Sequence, residues 1–215
     1  MKNFDIAFLH TSSVHIDTFS TLIKTHAPDL KITHSVRQDI LKEATLNGLN
    51  SSVSTSTTEE IENLVSQSEL TICTCSTLGG IVEKHAQHRG LNAIRIDRAM
   101  ADAAVKYSHV LVLAALESTL LPTQALMEQS CIKEHALPSI EYQLIPNAWE
   151  RFMVGDSKGY LDLISKTLSE KEHQFDAIML AQASMAGAVQ SKRYSIPVFS
   201  SPELGIKTAI QDYFR

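Results

Sequence analysis

Residues 71–80, TICTCSTLGG, and residues 178–187, IMLAQASMAG, decide the fold. Each is a short apolar run that ends in small polar residues and leads on to glycine, as when a buried strand delivers a loop and then a helix. Two such stretches in one chain point to a duplicated unit, and two further pairs recur at a similar interval. Residues 6–9 (IAFL) match 111–114 (LVLA), and 93–97 (AIRID) match 197–201 (PVFSS). The reading is an α/β fold of two pseudo-symmetric lobes, each with a mainly parallel sheet flanked by helices. The first lobe is expected over 1–97, with a C-terminal helix of 201–215 packed back on it, and the second over 98–200.

Working outward, the apolar runs place strands at 6–9, 30–33, 70–73 and 91–96, then at 109–113, 141–145, 177–180 and 197–199. Helical spacing is expected over 16–25, 59–67, 81–89, 98–107, 118–129, 157–172 and 203–214. The Ser/Thr-rich stretch 50–58 reads as a loop in which Ser56, Thr57 or Thr58 caps a helix beginning at Glu59. Gly155-Asp156 reads as a turn.

Composition bounds the function. The chain of 215 residues is 44% apolar and 20% charged, which is globular usage and enough length for one large domain or two halves. A net charge of -5 with scattered Lys and Arg offers no basic stripe, so nucleic acid is not an expected partner. The strongest apolar run, 110–116, is closed by Glu117, so no membrane partner is expected either. The opening MKNFD is not a signal peptide, and the cysteines number three, so a reduced, cytoplasmic protein is expected. Self-association into a homo-oligomer is left open.

Cys75 is the first candidate for chemistry. A thiol at the head of a helix feels unpaired N–H groups and the positive end of the helix dipole, both of which favour thiolate. The competing reading is a small buried hydrophobe. Cys73 belongs to the strand, and Cys131 is expected just past the end of a helix, in structural roles. The Cys73-Thr74-Cys75 spacing is not that of a zinc knuckle, and the nine histidines are dispersed, so no metal is expected. Gly79-Gly80 lacks both the lysine of a phosphate loop and the full dinucleotide pattern, and reads instead as a place of close approach.

The blocks IAFLHT (6–11), CSTLGG (75–80), IRIDRAMADAAV (94–105), VLVLAALESTLLPT (110–123), DAIMLAQAS (176–184) and IPVFSSPELG (196–205) span nearly the whole chain. In their order the chain resembles the aspartate/glutamate racemase superfamily, with its hydantoin racemase, maleate isomerase and arylmalonate decarboxylase relatives. The resemblance implies a small carboxylate substrate held by Ser, Thr and backbone groups, a cysteine on each side of the acidic carbon, and no cofactor. Cys75 occupies the first cysteine position and Gln182 the second. Glutamine has neither acid nor base capacity at neutral pH, although its amide can hold a carboxylate or a developing enolate oxygen.

The hydroxyls at the strand ends, Thr77, Ser184 and Thr119 with Ser76, Ala183 and Ser118 beside them, are the candidate carboxylate-binding groups, as are Thr11 and Ser12. His10 and Glu117 are the candidate additional acid or base groups, and Asp97 is expected in a cap or an ion pair. Arg95, Arg98 and Lys106 are candidate counter-charges. The loops of both halves are expected to serve one small-molecule site. The function expected is a racemase-like isomerase or a lyase with one catalytic cysteine. The alternative is a non-catalytic protein that binds or responds to a small carboxylate.

Overall fold

The alternation of apolar runs and amphipathic segments becomes two parallel sheets in the computed structural model, which describes residues 2–190 and 192–214. The chain divides into two units, one of Met1–Asp97 with Pro202–Arg215 and one of Arg98–Ser201.

The first unit carries β1 (Phe4–His10), α1 (Val14–His26), β2 (Ile32–Val36), α2 (Gln38–Asn47), α3 (Ser51–Gln67), β3 (Ser68–Cys73), α4 (Ser76–Arg89) and β4 (Ala93–Arg95). Its sheet runs β2-β1-β3-β4 with every pair parallel. Ile6, Ala7, Phe8 and Leu9 are fully inaccessible, as a central strand covered on both faces must be. The edge strand β4 is short, which limits the unpaired backbone it presents.

The second unit repeats this with α5 (Arg98–Ala104), β5 (His109–Ala114), α6 (Leu120–Glu134), β6 (Ser139–Leu144), α7 (Ala148–Met153), α8 (Ser157–Lys171), β7 (Ala177–Leu180), α9 (Gly187–Gln190) and β8 (Val198–Ser200). The sheet order β6-β5-β7-β8 is that of the first unit, again all parallel. The last helix, α10 (Ser201–Phe214), belongs to the first unit from Pro202 onward. Gly205 makes that seat possible, because a Cβ there would run into the Ile96 carbonyl. Among the described residues, no helix is long and apolar enough to cross a membrane.

Several sequence expectations shift. The Ser/Thr-rich stretch is helix, not loop: Asn50 is the cap, accepting from the Val53 N–H at 2.9 Å, and α3 runs unbroken from Ser51. Val53, Thr57, Ile61 and Leu64 are its buried stripe, and Thr57 satisfies its hydroxyl on the Val53 carbonyl at 2.7 Å. Helices α2, α7 and α9 have no counterpart among the expected elements. Helix α4 starts at Ser76 instead of 81, which brings Gly79 and Gly80 inside it. Cys131 lies within α6, not beyond a helix end. The edge strand β2 runs over Ile32–Val36 instead of 30–33, because its second half, HSV, carries little apolar signal.

The internal match also moves by one residue in two of its three blocks. The Thr74 N–H donates to the Leu9 carbonyl at 3.0 Å, and the Ala181 N–H donates to that of Leu113 at 2.9 Å. The Arg37 N–H donates to the carbonyl of His10, and the Ile145 N–H to that of Ala114, both at 2.8 Å. Leu9 therefore corresponds to Leu113 and His10 to Ala114, and Thr74 and Cys75 correspond to Ala181 and Gln182. Pairing of Thr71 with Ala93 and of Ile178 with Val198 likewise makes Ala93 the counterpart of Val198, not Pro197.

Candidate active site

In a parallel sheet the loops at the carboxyl ends of the strands collect free N–H groups and small polar residues, and ligands bind there. In the first unit these ends are those of β1 and β3. Strand β3 stops at Cys73, Thr74 and Cys75 form the turn, and Cys75 takes extended backbone as the residue capping α4. Its thiol is buried, which pushes its pKa up. The Thr11 hydroxyl and the Leu78 and Thr77 N–H groups oppose that by favouring the ionised sulfur, and Asp97 adds to the rise. Burial dominates, so the resting group is a protonated thiol whose anion has donors waiting around it.

Behind this turn Arg95 and Asp97 form a buried ion pair, Nε to Oδ1 at 2.6 Å and Nη2 to Oδ2 at 3.0 Å. Arg95 Nη2 also reaches the Ser76 carbonyl at 3.4 Å. The guanidinium lies in the space where a Cβ of Gly79 would be, so the glycine admits an arginine rather than a ligand. Asp97 is thus held by Arg95, in the ion-pair role expected for it. Cys73 is buried in the strand and donates to the Cys75 carbonyl at 3.6 Å.

His10 is not placed as an acid or base. It is fully buried, with Nδ1 against Thr74 Oγ1 at 2.7 Å and Nε2 against His34 Nδ1 at 2.8 Å. Burial, followed by the neighbouring His34 and His15, lowers its pKa to about 3, so the ring stays neutral. Thr11 is buried beside Cys75, whereas Ser12 is half-buried and its carbonyl accepts from the His15 N–H at 3.4 Å.

In the second unit the matching ends are those of β5 and β7. Gln182 is 8% exposed, and its Oε1 accepts from the Ala115 N–H at 2.7 Å. Because a backbone N–H only donates, this contact fixes which end of the amide is oxygen. Among the described residues, nothing accepts from Gln182 Nε2, and the Ser118 hydroxyl also has no partner. Ser184 is engaged by Tyr160 of α8, with the two oxygens 2.8 Å apart. Thr119 is buried at the start of α6, Ala183 opens a 3-10 turn without a polar side chain, and Glu117 is exposed. The place that His10 holds in the first unit is taken in the second by Ala114, which has no titratable group. Of the candidate counter-charges, Arg95 lies at the thiol turn, Arg98 bonds Gln129 and Ser130 of α6, and Lys106 pairs with Glu134.

Thr74, His34 and Tyr160 are missing from the sequence-level candidates. Thr74 lies between two cysteines and His34 directly follows the expected strand 30–33, and neither position carries a motif of its own. Tyr160 carries a more general signal, since a buried tyrosine needs a partner for its hydroxyl. Among the described residues, no group of three or more His, Cys, Asp or Glu is placed to hold a metal ion.

No protein-family model matches the chain, and no curated protein does. Solved structures do resemble it. An aspartate racemase of Picrophilus torridus superposes with a TM-score of 0.71 at 17% identity, covering 97% of this chain and 93% of that one. A glutamate racemase of Bacillus anthracis gives 0.68 at 14% identity, covering 99% and 83%. An arylmalonate decarboxylase gives 0.57 at 16% identity, covering 96% and 91%. The chain shares the fold of these structures.

Proposed function

We propose that the chain is a cofactor-independent isomerase or lyase acting on a small carboxylate, with Cys75 as its acid/base group. The observation that carries this reading is the setting of the Cys75 sulfur: a buried thiol faced by the Thr11 hydroxyl and the N–H groups of Thr77 and Leu78. A group that starts protonated and leaves an anion with hydrogen-bond donors around it is suited to giving a proton to a carbanion-like carbon. In a decarboxylation the C–C bond to the departing carboxylate breaks and carbon dioxide leaves, the electron pair left on carbon takes the Cys75 proton as the new C–H bond, the S–H pair stays on sulfur, and water returns a proton to the thiolate.

Inversion needs a second acid or base, and Gln182, which stands at the second cysteine position that the resemblance implies, supplies neither. A one-sided reaction, decarboxylation or cis–trans isomerisation, therefore fits better than racemisation by two bases. Within the second unit, Gln182 Nε2, whose protons have no other taker among the described residues, is proposed as a donor for a carboxylate oxygen. The same unpartnered Nε2 favours a second reading, a protein that binds a small carboxylate without turning it over.

The test is turnover of malonates, maleate, free aspartate and glutamate, and hydantoins in deuterated solvent, with chiral analysis of the products. Deuterium is expected on one face only. Cys75→Ser is expected to lower kcat by about a hundredfold or more, and Gln182→Ala to raise KM by about tenfold with a smaller change in kcat. Rapid racemisation of aspartate or glutamate that survives Cys75→Ser would sink the proposal. Saturable binding with no turnover of any member would leave the binding protein.

A further inference from the structure

The sheet of the first unit continues past its last backbone pair through side chains. Leu9 pairs with Cys73 as the last matched residues of β1 and β3. One step on, His10 Nδ1 meets Thr74 Oγ1 at 2.7 Å, and one step further the Thr11 hydroxyl faces the Cys75 sulfur. The two contacts are successive rungs between the same two backbone segments.

The direction of every hydrogen bond behind the first rung follows from one carbonyl. Thr74 Oγ1 lies 3.2 Å from the Leu9 carbonyl, which only accepts, so the hydroxyl proton goes there. Oγ1 must then accept from His10, which puts the ring proton on Nδ1 and leaves Nε2 as acceptor. His34 Nδ1, 2.8 Å from that Nε2, is therefore the donor, and His34 Nε2 accepts from the Ser20 hydroxyl at 3.0 Å. Each proton and lone pair along the path is used with both rings neutral. The groups facing His10 are His34 from β2, His15 and Phe19 from α1, Phe8 of its own strand and Thr74, and none carries a negative charge.

The second unit lacks this device. The counterparts of His10 and Thr74 are Ala114 and Ala181, and only the second rung remains, the Ala115 N–H to Gln182 Oε1. The polar chain occurs in the unit that holds Cys75. We infer that Ser20, His34, His10 and Thr74 form a neutral, one-directional hydrogen-bond chain that fixes the turn at Thr74 and thereby aims Cys75, making His10 and Thr74 positioning residues. This rests on the reading of Cys75 as the acid/base group.

Long-range proton–nitrogen correlation spectra of the uniformly labelled full chain test the first half without any variant. His10 and His34 are both expected as neutral Nδ1–H tautomers at neutral pH, and either ring found as the Nε2–H tautomer or as imidazolium overturns the chain. The second half is read from the titration of the Cys75 Cβ resonance, assigned with Cys75→Ser. Thr74→Val, which removes both bonds of the hydroxyl, is expected to move that titration upward by about half a pH unit or more, because the Thr11 rung loosens. It should also lower kcat by about tenfold at nearly constant KM, and Thr74→Ser should restore both. An unmoved Cys75 titration in a folded Thr74→Val variant overturns the positioning role. If no carboxylate is turned over, the proposed function fails, while the tautomers and the Cys75 titration still decide the chain.

Discussion

A Cβ added at Gly79 would stand 2.7 Å from Nε and 2.8 Å from Cζ of Arg95, inside the space that the guanidinium fills. Glycine within a helix ordinarily costs about 1 kcal/mol relative to alanine, so Gly79→Ala should stabilise if local propensity were all that mattered. The ion pair reverses the sign. Arg95 and Asp97 are each almost fully buried, and moving the guanidinium leaves a charge without its partner in a dry site. Separating such a pair costs about 3 kcal/mol or more, which exceeds the helix gain. Gly79→Ala is therefore expected to lower the urea midpoint with an unchanged slope, by a net of about 2 kcal/mol. A raised midpoint would show that Arg95 yields freely. The sequence shows that the glycine marks a close approach. It does not show that a side chain from β4 makes that approach, since contact across an element is a tertiary fact.

At the scale of elements, the strands were the legible part and the first turns of helices were not. The central strands β1, β3, β5 and β7 are near-continuous apolar runs, because a parallel strand is covered on both faces. Helix α3 shows why starts are harder. Ser and Thr are favoured at caps, so a run of them looks like a cap with a loop before it. The buried stripe through Val53, Thr57 and Ile61 overrides that preference, and Asn50 takes the role. Asn50→Ala is accordingly expected to lower stability by about 1 kcal/mol, measured by chemical denaturation. Exposed Thr55→Ala should raise it by a few tenths, roughly 0.3 kcal/mol, because alanine is the better helix former. If Thr55→Ala were as damaging as Asn50→Ala, the helix start would be misplaced. The candidate site was legible in part for the same reason. Positions at strand ends, Cys75 and Gln182 among them, follow from periodicity, whereas the partners that engage Ser184 or surround His10 come from elements distant in sequence.

For the whole molecule buried His10 and half-buried His15 and His34 have a consequence that no single loop reveals, a dependence of folding on pH above the range where carboxylates titrate. Burial is the main cause that lowers His10 to about 3 and His15 to about 4, and it lowers His34 as well. An unfolded histidine titrates near about pH 6.5, so below that point the unfolded chain takes up protons that the native state refuses. Stability from these groups is present above about pH 6.5 and is lost as pH falls toward the depressed native values. For His10 alone the loss between about pH 7 and about pH 5 is about 2 kcal/mol, with His15 and His34 acting in the same direction. The carboxylates whose pKa values are lowered in the native state, among them Asp39, Asp156, Glu172 and Glu203, add their losses only nearer their own lower range. Trp149, the single tryptophan, lies in the second unit, so its fluorescence would miss a transition confined to the first. Urea denaturation followed by far-ultraviolet circular dichroism at both pH values is the suitable measurement. The midpoint is expected to fall clearly at the lower pH, and His10→Asn, which has no ring to protonate, should reduce the fall while costing some stability at neutral pH. A midpoint that holds or rises on acidification would mean that the imidazoles take up protons in the native state, which the hydrogen-bond chain through His10 and His34 does not permit.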